Sequence, residues 1–146
     1  MARYVTKIRT PWSVTESFDY MADLRNFARW DPGVRHVTQT VGDAGGATSV
    51  FDVTVVGVPK DLTLTYRTVE YDAPHHLRVV ARSRVFISED RIAVTPDGDG
   101  SIVEYDAQLR FNCFLGPADL ALRPFFNRIA DRAAKGLCVA IKGTKV

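Results

Sequence analysis

Five polar residues, Tyr66, Thr68, Ser88, Asp90 and Tyr105, fall where the strand alternation of the chain otherwise sets apolar side chains. Two phenols, two aliphatic hydroxyls and a carboxyl can donate, accept and trade a proton. Such a set can orient the polar end of a ligand, or do acid-base work on it. Asp90 is the most unusual member: its neighbours Glu89 and Arg91 point to the opposite face. A carboxylate turned inward must find hydrogen bonds, or rise in pKa and stay protonated. Asp90 and Tyr105 are therefore the acid-base candidates.

Other chemistries find no footing. The histidines are His36, His75 and His76, and the adjacent pair at a turn points in different directions, so no shared metal face is expected. Cys113 and Cys138 form no CxxC and serve as small core residues of a reduced compartment. No Ser or Cys stands in a GxSxG elbow. Gly42 to Gly46 lacks the spacing of a phosphate loop and lies between strands. Asp97, Asp99 and Ser101 begin like a calcium loop, but Ile102 and Gln108 stand where its glycine and its bidentate Glu belong. Neither metal nor organic cofactor is implied. A formal charge of +2 with both signs interspersed excludes the footprint of a nucleic-acid protein.

The elements that position these residues follow from periodicity. Residues 2 to 10 alternate as a strand. Past Pro11, Val14, Phe18, Met21 and Leu24 have helical spacing, and Ser13 with Glu16 makes a capping box. Two short helices are expected there, ended by Trp30-Asp31-Pro32-Gly33, since Asp31 before a proline disfavours helix. From His36 the period is two, broken at GDAGG, GVPKD, DAPHH and PDGDG, giving six consecutive antiparallel strands and about seven in all. After Gly116-Pro117, Leu122, Phe125, Phe126, Ile129, Ala133, Leu137, Ala140 and Ile141 mark one face of a long helix, with Pro124 in its first turns or kinking it. The class is α+β.

Hairpin registers test this order. A turn centred on Pro59-Lys60 sets Phe51, Val53 and Val55 against Thr68, Tyr66 and Leu64, with Asp52 meeting Arg67 outside. A turn at Ala73-Pro74 sets Thr68 against Val79 and Tyr66 against Ala81; one at Asp97 to Gly100 sets Ile92 and Val94 against Tyr105 and Val103, Asp90 against Ala107, and Arg91 against Asp106 outside. One apolar face results. It carries Phe51, Val53, Val55, Leu64, Val79, Ala81, Ile92 and Leu109, faced by Phe126, Ile129 and Ala133 of the last helix.

This order, with LRNFARWDPGV after the first strand, resembles the START-like superfamily in its polyketide cyclase/dehydratase and lipid-transport branch, known as SRPBCC. Asp23, Trp30 and Pro32 match the family's helix end, while EDRIAVTPDGDGSIVEYDAQL and RIADRAAKGL resemble its last hairpin and gripping helix. The resemblance implies a helix-grip fold, a curved sheet wrapped around the C-terminal helix with an apolar cavity between them. It covers nearly all of 1-146, expected to be a single domain. Trp30 is expected to fill the seam between the short helices and the sheet, within reach of a ligand at the cavity mouth.

Three functions stay open: binding or transport of a polyketide, isoprenoid or lipid-like molecule; a cyclase or dehydratase working through Asp90 and Tyr105; and a partner-binding module with a filled cavity. Arg123, Arg128, Arg132 and Lys135, interrupted by Asp131, are expected to be a solvated helix face, with membrane contact at most transient. No apolar run approaches the roughly 20 residues that span a bilayer, and a cytoplasmic chain is expected. The oligomeric state is not legible.

Overall fold

The computed structural model describes residues 1–57, 60–111 and 116–146, with the backbone alone over 116–123. Expectations placed on Pro59, on Cys113 and on the side chains of Leu122 and Arg123 lie outside the described residues. Strand β1 (Ala2–Thr10) turns Ala2, Thr6, Ile8 and Thr10 inward and leaves Arg3, Val5, Lys7 and Arg9 outside. Ser13 then caps α1 (Val14–Ala22), its hydroxyl accepting from the Glu16 amide at 3.1 Å, which satisfies one of the free amides of the first turn. The helix buries Phe18, Met21 and Ala22. Asp23 caps a 3-10 turn (Leu24–Asn26) leading into the short α2 (Phe27–Trp30). Asp31 is extended, and its carboxylate accepts from the Gly33 amide at 2.8 Å, turning the chain into β2 (Val34–Val41).

Strands β3 (Val50–Val55), β4 (Leu62–Asp72), β5 (His76–Arg82), β6 (Phe86–Asp97) and β7 (Gly100–Phe111) follow, then α3 (Gly116–Ala140) and β8 (Thr144–Lys145). They form one antiparallel sheet in the order β2-β3-β4-β5-β6-β7-β1-β8. Eight strands replace the expected seven because β8 has two residues and carries no periodicity. No described helix is long and apolar enough to cross a membrane.

The β6/β7 register is as expected, with Asp90 opposite Ala107, Ile92 opposite Tyr105 and Val94 opposite Val103. Arg91 faces Asp106 in the backbone register, but the carboxylate is taken by Arg3 of β1, which holds it with two bonds of 2.8 and 3.0 Å. Tyr66 meets Ala81 and Thr68 meets Val79, before a bulge at Val69 shifts the remainder by one. The β3/β4 register differs by two: Phe51 pairs with Tyr66, Val53 with Leu64 and Val55 with Leu62. Asp52 accordingly meets Thr65, whose hydroxyl donates to it at 2.8 Å, instead of Arg67. A slip of two keeps every side chain on its face, so the alternation cannot detect it.

Helix α3 packs on β1, β7 and α2. Ala133, Ala134 and Leu137, with Ile141 just beyond the helix, are buried. Phe126 is half-buried, whereas Phe125 is 58% exposed and Ile129 40%, so the expected stripe does not hold along its length. The cause lies at Gly136, where a Cβ would strike the Trp30 carbonyl. That bare position lets the two backbones touch, and burial follows the contact. Pro124 lies inside the helix, past its first turns.

Candidate functional site

The register lines up the inward polar groups in adjacent rows across the sheet. Tyr66, Ala81, Ser88 and Leu109 form one, and Thr68, Val79, Asp90 and Ala107 the next. Ala81 is small enough that the Tyr66 hydroxyl passes it and reaches the Ser88 hydroxyl at 2.7 Å. Tyr66 is 8% exposed, and burial pushes its phenol up, with the Asp90 charge adding to the effect.

Asp90 is 5% exposed, among Val79 and Ala107. Burial pushes its carboxyl up to about 7, against a hydrogen bond from Tyr105 that favours the charged form, and the charges of Asp31, Asp106 and Glu89 push the same way as burial. The carboxyl is thus poised between its two forms near neutrality. Tyr105 is raised as well, by burial first and then by Asp90.

Trp30 closes one side of this group. Its ring centre lies 4.7 Å from Phe27 and 5.6 Å from Tyr105, nearly perpendicular to the latter at 84°. The ring is buried at 3% exposure, in the seam as expected, and its indole Nε1 has no hydrogen-bond partner. The Thr68 hydroxyl, turned to the same face as Asp90, has none either. Buried polar atoms without partners are rare enough to call for a reason.

Of the other expected residues, Phe51, Val53, Leu64, Val79, Ala81 and Ile92 are buried on the inner face, with Ala133 opposite on α3. Val55, Ser88, Tyr105, Leu109 and Phe126 are only partly buried. Ile129 does not join the buried face. Its Cγ2 lies 3.9 Å from where a Cβ on Gly33 would sit, which puts it at the rim beside the turn after α2.

Sequence reasoning missed Asp31. It was assigned to ending a helix, which it does, yet its carboxyl also acts on Asp90, Tyr66 and Tyr105. Burial raises its pKa against the opposing Gly33 hydrogen bond. The available signal was its place directly after a tryptophan expected to be buried.

Two surface hollows, one at Arg9, Asp97 and Lys142 and one across Arg78, Arg91 and Glu104, are lined by charged residues apart from this face. Among the described residues no three His, Cys, Asp or Glu side chains converge as metal ligands would.

A curved antiparallel sheet gripping a C-terminal helix, with short helices after the first strand, is the helix-grip architecture of START-like proteins. The chain belongs to the polyketide cyclase/dehydrase and lipid transport family, whose model matches residues 1–139. A protein from Thermus thermophilus is 16% identical with a TM-score of 0.74, over 92% of this chain and 93% of that one. A START superfamily protein from Mycobacterium smegmatis is 12% identical with a TM-score of 0.72, over 97% and 98%. The di-domain ARO/CYC protein StfQ of the steffimycin biosynthetic pathway is 12% identical with a TM-score of 0.73, over 97% of this chain and 49% of StfQ, about half its length. No curated protein matches the sequence. At these identities the likeness is one of fold.

Proposed function

We propose that residues 1–146 act as one domain that binds a hydrophobic small molecule, of polyketide, isoprenoid or lipid type, between the inner face of the sheet and α3. One observation carries this reading: Val55, Ser88, Tyr105, Leu109 and Phe126, expected to face the sealed interior, are only partly buried, while the Asp90 carboxyl is buried on the same side of the sheet. Apolar walls with a few convergent polar groups are the usual build of a small-molecule site. Burial of the ligand's apolar surface, at about 25 cal/mol per Å2, supplies affinity. Tyr66, Ser88, Asp90 and Tyr105 then hold its polar end. Native mass spectrometry of the protein taken from its own host tests this. A co-purified apolar molecule released on denaturation is expected; a bare chain that also fails to take up an apolar fluorescent probe would sink the reading.

The state of Asp90 favours a second reading, a cyclase or dehydratase. A group titrating near the working pH is the best general acid-base catalyst. As carboxylate, Asp90 would remove a proton beside a keto group; once protonated, it would return that proton to the departing hydroxyl, which leaves as water. In this reading Asp90→Asn keeps ligand affinity and cuts turnover about a hundredfold. Affinity shifted by about 1 to 3 kcal/mol, with no product from wild type on a polyketide panel, leaves binding alone.

A further inference from the structure

Asp31 stands at the end of α2 and Asp90 in the middle of β6, and the Asp31 charge acts on Asp90. The strongest charges acting on Asp90 are Asp31, Asp106 and Glu89, every one acidic. Asp106 and Glu89 are neutralised on the outer side by Arg3 at 2.8 Å and Arg78 at 2.7 Å. Neither Asp31 nor Asp90 has an ion pair among the described residues. On the same face as Asp90 stands the unpartnered Thr68 hydroxyl, 7% exposed. Two acids without a cation, beside aromatic rings and an idle hydroxyl, make a place built around a missing positive charge.

We propose that this group of residues selects an apolar ligand ending in a protonated amine, with Asp31 and Asp90 as its counter-charges, and turns away one ending in a carboxylate or phosphate. This rests on the binding reading above and names the class of ligand. An ammonium supplies the absent charge and three donors, enough for the two carboxyls and the Thr68 hydroxyl. The rings of Trp30 and Tyr105 favour a cation near their faces. A ligand carboxylate would instead add a like charge where water is scarce, and like charges a few ångströms apart repel strongly in such surroundings. A neutral alcohol makes the hydrogen bonds without the charge and falls between.

Displacement of an apolar fluorescent probe by decylamine, decanol and decanoate tests this, since their tails are the same. At a pH where the amine and the acid are both charged, decylamine should displace the probe about tenfold or more better than decanoate, a gap of about 1.4 kcal/mol, with decanol between. In Asp31→Asn combined with Asp90→Asn, amine and acid should come within about threefold of one another. If the double variant does not fold, each single variant should narrow the gap. Decanoate matching decylamine on wild type, or a preference that survives removal of both carboxyls, overturns the proposal and leaves the binding reading standing. If neither the probe nor any of the three tails binds, the binding reading fails and takes this proposal with it.

Discussion

Leu137 and Ile141 are fully buried in one core with Ile8, Phe18, Val94 and Val103, while about two turns before Leu137 on the same helix Ile129 is 40% exposed. The elements are the same at both ends: a helix crossing one sheet. At the closed end Gly136 brings α3 onto α2, and the Thr10 hydroxyl bonds the Ile141 carbonyl. Polar groups there are matched, as the Ser17 and Ser101 hydroxyls are at 2.8 Å. At the open end Asp31, Asp90, Thr68 and Trp30 keep unneutralised or unpartnered groups beside partly buried apolar ones. Packing is complete at one end and incomplete at the other, so stability and the proposed binding can be perturbed separately.

The largest expected effect is at the wall between the ends. Trp30→Ala removes a ring buried against Phe27 and Tyr105 and should cost about 3 to 5 kcal/mol in a denaturant titration; a loss under about 1 kcal/mol would mean that the ring supports neither end. Next is a pH effect particular to the open end. Asp90 rises from 3.8 to about 7 on folding, so in that window the folded chain holds a proton that the unfolded chain has released. The stability this supplies is complete below the lower value and is lost as pH climbs through the upper one. At about 1.4 kcal/mol per unit it comes to about 4 kcal/mol. Asp90→Asn should flatten the slope; an unchanged slope would assign the proton elsewhere, first to Asp31, which shifts in the same direction.

Leu137→Ala should cost about 3 kcal/mol at the closed end and leave probe affinity within about twofold. Tyr66→Phe breaks the bond to Ser88, should cost about 1 kcal/mol, and should alter probe binding. The smallest effect belongs to Ile129→Ala, about 0.5 kcal/mol or less on stability. Equal losses at Leu137 and Ile129 would erase the distinction between the ends.

The hairpin β6/β7 was legible because both strands alternate and PDGDG fixes the turn. That register alone turns Asp90 inward. The β3/β4 slip was hidden, since a shift by two leaves the alternation intact. Ile129 and Phe125 were misplaced because a helical period marks a stripe but not where its partner surface ends. Asp31 escaped notice because ending a helix already accounted for it. Local pattern thus specifies faces and turns; which faces are sealed depends on contacts between distant segments, such as Gly136 against Trp30.

The borders of the sheet bear on how copies of the chain treat one another. Its outermost strands are β2 and β8. A long flat border is a template for a neighbour's strand, and self-association by that route ends in aggregates. Here β2 pairs with β3 through two irregularities, near Val34 and Gln39, that interrupt its line. On the other side Thr144 and Lys145 lie along Arg9 and Ile8, with the Val146 amide bonded to the Lys7 carbonyl at 2.9 Å, so the last residues of the chain cover part of the nine-residue β1. Three residues that contribute almost nothing to the core therefore occupy pairing groups that a neighbour's strand would otherwise use.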